Sequence, residues 1–239
     1  MKALILAAGR GSRMESHTVD KPKCLINVQG KSLLDWQLEA IRAAGVNEIA
    51  VVTGYKHELI SLAGLHSFHN PNWRETNMVT SLACGLDWLE SDICIVSYSD
   101  IFYNADAVNM LTSINSHLAI TYHVNWLDIW TKRFVDPLID AESFQVSPCG
   151  LVAEIGRKPK STTEIQGQYM GLLRITPEGW HEISKIRLSL TAKERNKISV
   201  TEVLQKVIER GNIGISALPF EGFWGEIDTE DDLKFYNEA

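Results

Sequence analysis

Residues 3–23, ALILAAGRGSRMESHTVDKPK, decide how this chain is read. A short apolar run from Ala3 to Ala8 empties into Gly9-Arg10-Gly11-Ser12-Arg13, and Lys21-Pro22-Lys23 follows. An apolar strand that ends in a loop of small residues leaves backbone N–H groups unpaired and uncrowded, which suits an anionic phosphate. Arg13 and Lys23 add fixed positive charge. Two commoner phosphate loops do not fit, because no third glycine completes G-x-G-x-x-G and no Gly-Lys-Ser/Thr completes a Walker A.

Outward from that loop, Cys24 to Val28 reads as a short strand and Gln29-Gly30 as a turn. Ser32, with Asp35 three residues on, opens a helix from Leu33 to Ala44 that Gly45 ends. Asn47 to Thr53 is a buried strand by its Ile and Val content. Strand, helix and strand in the first 55 residues imply an α/β fold with a single Rossmann-like, mostly parallel sheet flanked by helices. One or two helical turns are expected at Leu59 to Leu62, and a turn at Asn70-Pro71-Asn72. His66 and His69 near that turn are a weak metal pair. A helix entered through Thr76-Asn77 carries Leu82, Leu86 and Leu89 on one face; its polar start either reads a base edge or simply caps the helix.

Asp92 to Tyr98 is the next buried strand and ends on Ser99-Asp100. A carboxylate at the C-terminal end of a central parallel strand lies where open α/β sheets bind ligands, so Asp100 is the first candidate. A helix (Ala105 to Ser116) and a strand (Leu118 to Val124) follow. From Asn125 to Lys160 the chain mixes Trp126, Trp130 and Phe134 with Lys132 and Arg133 and is broken by prolines. That mixture suits an inserted lid over the sheet's C-terminal edge, with aromatics and cations around a small charged ligand or, equally, a hydrophobic mini-core. Gln168 to Ile175 returns as a strand. Thr176-Pro177 and Ser199-x-x-Glu202 start helices, the second running Val200 to Glu209, and Ile213 to Leu218 is a late strand. Alternation puts Glu226 and Asp228 on one face of an extended segment before Thr229 and Asp232 cap the last helix.

The chain of 239 residues reads as one domain with an embedded lid: 1–124, a lid segment at 125–175, and 176–239 with helices and a C-terminal strand. Hydrophobic residues at 45% and charged residues at 22% are ordinary for a globular protein. A net charge of -7 argues against a nucleic-acid partner. The four cysteines form no C-x-x-C pair, so reduced thiols in a cytoplasmic protein are expected. The first residues read as a core strand rather than a signal peptide, and no membrane span is expected. A homodimer is compatible with the sequence.

Four pieces in order, LAAGRGSR with KPK, TNMVTSL, YSD and WGEIDTEDDL, resemble the MobA-like, sugar-phosphate type of bacterial nucleotidyltransferase. More closely they resemble its small branch of CTP:phosphocholine cytidylyltransferases and the branch that loads CMP onto phosphonates. The resemblance implies Leu6, Ala7, Ala8, Gly9, Gly11, Ser12, Arg13, Lys23, Thr80 and Ser81 around the nucleotide, with Arg13, Lys23, Asp100 and Asp228 catalytic. It implies Mg²⁺ on Asp100 and Asp228, and an acceptor held by Trp130, Arg133, Lys158, Tyr169 and Glu226. The implied reaction is Mg²⁺-dependent transfer of CMP from CTP to a small phosphorylated or phosphonate acceptor, with release of pyrophosphate. A loop of small residues favours a pyrimidine, hence CTP. No general base is needed, because the attacking oxygen is already ionised. The alternatives are a sugar-1-phosphate nucleotidyltransferase using UTP, GTP or dTTP, a GT-A glycosyltransferase, and a non-catalytic nucleotide-binding protein. The second should show D-x-D, which Ser99-Asp100-Ile101-Phe102 does not.

Overall fold

A computed structural model describes residues 1–61 and 64–238. Its centre is a seven-stranded sheet. Across the sheet the strands run Ile215–Phe220, Leu118–His123, Gln168–Ile175, Cys94–Tyr98, Lys2–Ala7, Ile49–Thr53 and His66–His69. All neighbours are parallel except around Gln168–Ile175, which is antiparallel to both of its partners. Lys2–Ala7 is interior, between Cys94–Tyr98 and Ile49–Thr53, so the first residues are a core strand as expected.

Alternation along these strands builds a core on each face. Ile5, Val51 and Ile95 point to one layer with Leu38, Ile41, Val108 and Leu111. Leu4, Leu6, Val52 and Val96 point to the other, with Leu89, Trp180, Val203 and Leu204. Burying each such side chain contributes about 1.5–3 kcal/mol. A third, smaller cluster joins Met14, Ile26, Val28, Leu33, Phe102, Ile227 and Tyr236. It lies under the loops and ties the first motif to the C-terminus.

Several elements differ from the sequence reading. Cys24 to Val28 is not one strand: Lys23–Leu25 is a 3₁₀ turn closed by Ile26 N–H to the Lys23 carbonyl (3.0 Å), and only Asn27–Val28 pairs, with Lys31–Ser32. The helix after Thr76 is broken into Met78–Leu82, a 3₁₀ turn at Ala83–Gly85, and Leu86–Ser91. The Leu59 to Leu62 turn is shifted to His57–Leu59, and Leu62 lies outside the described residues. Edge strand His66–His69 is too short and polar to announce itself. Helix Ala192–Lys197 is polar all along and is held by a Thr191–Glu194 capping box. The late strand is Ile215–Phe220.

The segment between Leu118–His123 and Gln168–Ile175 holds a helix, Trp126–Arg133, and a two-stranded ribbon, Phe144–Val146 with Val152–Ile155. Trp126 anchors this segment by donating Nε1–H to the Ile165 carbonyl at 3.2 Å. Among the described residues no helix is long and apolar enough to cross a membrane.

Candidate active site

The phosphate loop leaves strand Lys2–Ala7 at the sheet's C-terminal edge and turns at Gly11. With φ at +71°, Gly11 is left-handed, and a Cβ there would meet the Lys23 stem at 2.7–3.0 Å. Glycine is therefore required twice, by conformation and by the approach of Lys23. The next stretch, Ser12–Thr18, is a pair of 3₁₀ turns kinked at Glu15 and pinned by fully buried Met14, which leaves Arg13 on the rim.

Downstream, strand Cys94–Tyr98 runs directly into Ser99-Asp100. Ile101–Tyr103 then forms a short antiparallel ladder with Trp224–Glu226, which the sequence reading missed. That ladder continues through Ile227 N–H to the Asp100 carbonyl at 2.9 Å, and so sets Asp228 beside Asp100. Asp100, Glu226 and Asp228 each offer a carboxylate oxygen within 4.8 Å of the others.

Lys23, 6% exposed, bridges two of them: Nζ lies 3.0 Å from Asp100 Oδ2 and 2.7 Å from Asp228 Oδ1. Burial alone would lower its pKa, but the two carboxylates outweigh that and raise it, so the ammonium is held charged. Arg13 Nη2 reaches the same Asp228 oxygen at 2.9 Å. Burial, reinforced by Asp228, pushes Glu226 well above the usual carboxylate range. Asp100 Oδ1 is buried without a hydrogen-bond partner. Three hard carboxylates, one of them with an orphaned buried oxygen, fit a small divalent cation.

A cavity of about 240 Å³ opens beside this cluster. Its walls include Arg13, Asp228 and Glu226 at one end, with Trp130, Tyr98, Tyr169, Asp140 and Glu142 beyond. Strand Gln168–Ile175 bulges at Gly171, whose φ of +77° lets the Tyr98 ring sit 3.0–3.2 Å from where a Cβ would be. Tyr98 and Tyr169 then meet edge to face at 5.7 Å. Trp130 stacks on Trp224 with 6° between the ring planes. The Trp130 Nε1–H and the Tyr169 hydroxyl are buried without a partner. Burial raises the pKa of both Asp140 and Glu142.

On the other side of the loop, Gly9, Arg10, Gly11 and Ser12 face Tyr55, Trp73 and Arg74 across a second hollow of about 360 Å³. Arg10 lies over Tyr55 and Arg74 over Trp73.

The residues predicted from sequence are not all gathered in one place. Arg13, Lys23, Asp100, Asp228 and Glu226 converge, with Trp130 and Tyr169 in the adjoining wall. Leu6, Ala7 and Ala8 are buried beneath the loop, and Gly9 and Ser12 are exposed on it. Thr80 and Ser81 are turned to other work: Thr80 Oγ1 donates to the Arg195 carbonyl (3.3 Å), and buried Ser81 accepts from Asn70 Nδ2 (3.0 Å). Lys158 Nζ donates to the carbonyls of Leu138 and Ile139 and is not among the cavity-lining residues. Arg133 is wholly buried and bonded to Asp232. Sequence reasoning left out Arg10, Arg74, Tyr98, Asp140 and Glu142. Only Tyr98, two residues before Asp100, carried a local signal.

Comparison with known proteins gives the family. The description "MobA-like NTP transferase domain" matches residues 3–130, which carry the loop, Lys23 and Asp100. The chain belongs to the MobA-like NTP transferase family. As such it is a nucleotidyltransferase. Among its relatives, CTP:phosphoglutamine cytidylyltransferase of Campylobacter jejuni is 36% identical over 98% of both chains. Choline-phosphate cytidylyltransferase of Streptococcus pneumoniae is 32% identical over 44% of this chain and 47% of its own. The solved inositol-1-phosphate CTP transferase from T. maritima shares the fold, with a TM-score of 0.78 at 20% identity over 98% of this chain and 93% of its own. This MobA-like transferase therefore has the α/β architecture expected from its first 55 residues.

Proposed function

We propose that this MobA-like transferase passes CMP from CTP to a small phosphorylated acceptor that also carries a cationic nitrogen, releasing pyrophosphate. The observation that carries the reading is a three-carboxylate cluster, neutralised by Lys23 and Arg13, at the mouth of a cavity walled by acids and aromatics.

In-line attack on the α-phosphorus brings one anion to another, so the first demand is positive charge at the phosphoryl oxygens. Lys23 and Arg13 supply part of it. Asp100 and Asp228, with Glu226 alongside, would hold Mg²⁺, which draws charge from the α-phosphoryl oxygens when bound. Arg10 and Arg74 face the outer side of the loop and are suited to the β- and γ-phosphates. The attacking phosphate oxygen is already ionised at neutral pH, so no base is required. The small residues of the loop favour a pyrimidine.

The acceptor's chemistry follows from what the cavity lacks. Arg13 is the single cationic side chain among its described lining residues, against Asp140, Glu142, Glu226 and Asp228. Asp228 already has Lys23 and Arg13, and Glu226 has Arg133 nearby, but a sugar phosphate would leave Asp140 and Glu142 without a cation, whereas an ammonium group beside aromatic faces answers them. The unpartnered Trp130 N–H adds a donor for an oxygen. An amino-acid-like phosphate offers both an ammonium and an oxygen, and the Campylobacter relative is named for phosphoglutamine.

The test is pyrophosphate release from CTP, UTP, GTP and dTTP against phosphoglutamine, phosphoserine, phosphocholine, aminoethylphosphonate and glucose 1-phosphate. CTP with a nitrogen-bearing acceptor should give the highest kcat/KM. A preference for UTP, GTP or dTTP with glucose 1-phosphate would overturn the reading.

A further inference from the structure

The helix Trp126–Arg133 and the C-terminal helix Glu230–Glu238 meet through one carboxylate. Asp232 is 3% exposed. Its Oδ2 accepts the backbone N–H of Asp228 (3.0 Å), the backbone N–H of Thr229 (2.9 Å) and the Thr229 hydroxyl (3.0 Å). That much is helix capping. The other oxygen does something no cap needs: Oδ1 accepts from Arg133 Nε at 2.7 Å, across 99 positions of sequence.

Arg133 is as specialised as its partner. Its side chain is 0% exposed, its Nη1 lies 3.7 Å from Glu226 Oε2, and its guanidinium packs against the Trp130 and Phe134 rings. Neither Nη atom has a hydrogen-bond partner. An apolar pair of the same volume would serve stability as well or better, because two buried charges lose their hydration. What an ion pair adds is direction. One end is bonded to the backbone that carries Asp228. The other touches Trp130 and Glu226, both in the cavity wall.

We propose that Arg133 and Asp232 are positioning residues for the transfer reaction. They form a buried ion pair that holds the metal-side carboxylate Asp228 and the acceptor-side groups Trp130 and Glu226 in one geometry. The proposal rests on the reading of Asp228 as a cation ligand. It also gives Arg133 a different part from gripping the acceptor's phosphate.

Two variants separate the pair from simple capping. Arg133→Met removes the guanidinium and leaves Asp232 its three local donors, so the helix cap survives. Asp232→Asn keeps an oxygen for those donors and turns an amide toward Arg133. Mn²⁺ affinity is measured by electron paramagnetic resonance on the full chain with α,β-methylene CTP, so no turnover is involved. Steady-state kinetics and melting temperature are measured alongside. Groups that orient metal ligands are worth about 10–100-fold in affinity or rate. Both variants should weaken Mn²⁺ about tenfold and lower kcat, the double variant should be no worse than the worse single, and Arg133→Lys should recover part of the loss. Unchanged Mn²⁺ affinity in Arg133→Met with a raised acceptor KM would make Arg133 an acceptor ligand and overturn the proposal. So would a fall in melting temperature alone. Wild-type protein that binds Mn²⁺ but transfers nucleotide to no acceptor would sink the function while leaving the positioning result standing. Wild-type protein that binds no Mn²⁺ would sink both.

Discussion

The two walls of the active site are built on opposite plans. On the proposed nucleotide side, a contiguous loop between Gly9 and Arg13 lies at the end of one strand, with Lys23 ten residues on. On the proposed acceptor side, Tyr98, Trp130, the Asp140–Glu142 stretch, Tyr169 and Glu226 come from separate segments, brought together by a strand bulge, a helix and a ladder. The first is a sequence motif and the second a consequence of topology. A local loop can present backbone N–H groups to any triphosphate. A wall assembled from distant segments can change its chemistry one residue at a time, which is where a transferase family would differ in acceptor.

That contrast can be broken most forcefully at the shared border. Lys23→Ala leaves Asp100 and Asp228 facing each other without their ammonium, and Asp100→Asn removes one carboxylate of the cluster. Either should lower kcat on the order of 10²–10³-fold with every acceptor alike. A loss confined to one acceptor would place Lys23 on the wrong wall. Gly11→Ala comes next. It forces a side chain into a left-handed position and against the Lys23 stem, so it should cost about 1–2 kcal/mol in denaturant unfolding and roughly tenfold in kcat/KM for CTP.

Glu142→Gln addresses the acceptor wall alone. It should raise KM for a cationic acceptor about tenfold and leave KM for CTP unchanged, since the charge it removes faces only that cavity. An equal rise in both KM values would merge the two walls into one.

The smallest effect is on stability and concerns the same residue. Burial raises the folded-state pKa of Glu142, so the folded protein holds this proton more tightly than the unfolded chain. The stability from that proton is full below the ordinary value of 4.5 and is lost as pH rises toward the raised folded value. The melting temperature of Glu142→Gln relative to wild type should therefore climb across that window by on the order of 2 °C and level off above it. A gap that narrows with rising pH would mean that Glu142 is stabilised as the anion.

Legibility followed range. The phosphate loop, the helix from Leu33 and the strands Ile49–Thr53, Cys94–Tyr98 and Gln168–Ile175 could be read because apolar periodicity and capping are local. Thr80 and Ser81 read in sequence either as base contacts or as part of a capped helix start; that their hydroxyls bond to the Arg195 carbonyl and Asn70 is set by the fold. Lys158 and Arg133 look like free cations, yet one closes a turn through backbone carbonyls and the other is sealed against Asp232. A cation's partner is decided by what the fold brings within 3 Å, and no spacing along the chain reports that.

By itself, then, the sequence determined the parallel α/β sheet, the phosphate loop with Arg13 and Lys23, and Asp100 and Asp228 as candidate ligands. Strand patterns, glycine geometry and charge at a strand end are properties of short stretches. Tertiary structure alone decided that Asp100 meets the Glu226–Asp228 pair, that Asp140 and Glu142 line the cavity beside it, and that Arg133 is spent on Asp232. Each depends on the ladder between Ile101–Tyr103 and Trp224–Glu226 or on the segment folded over it. Both join residues far apart in the chain, and only the packing of the whole domain sets their distance.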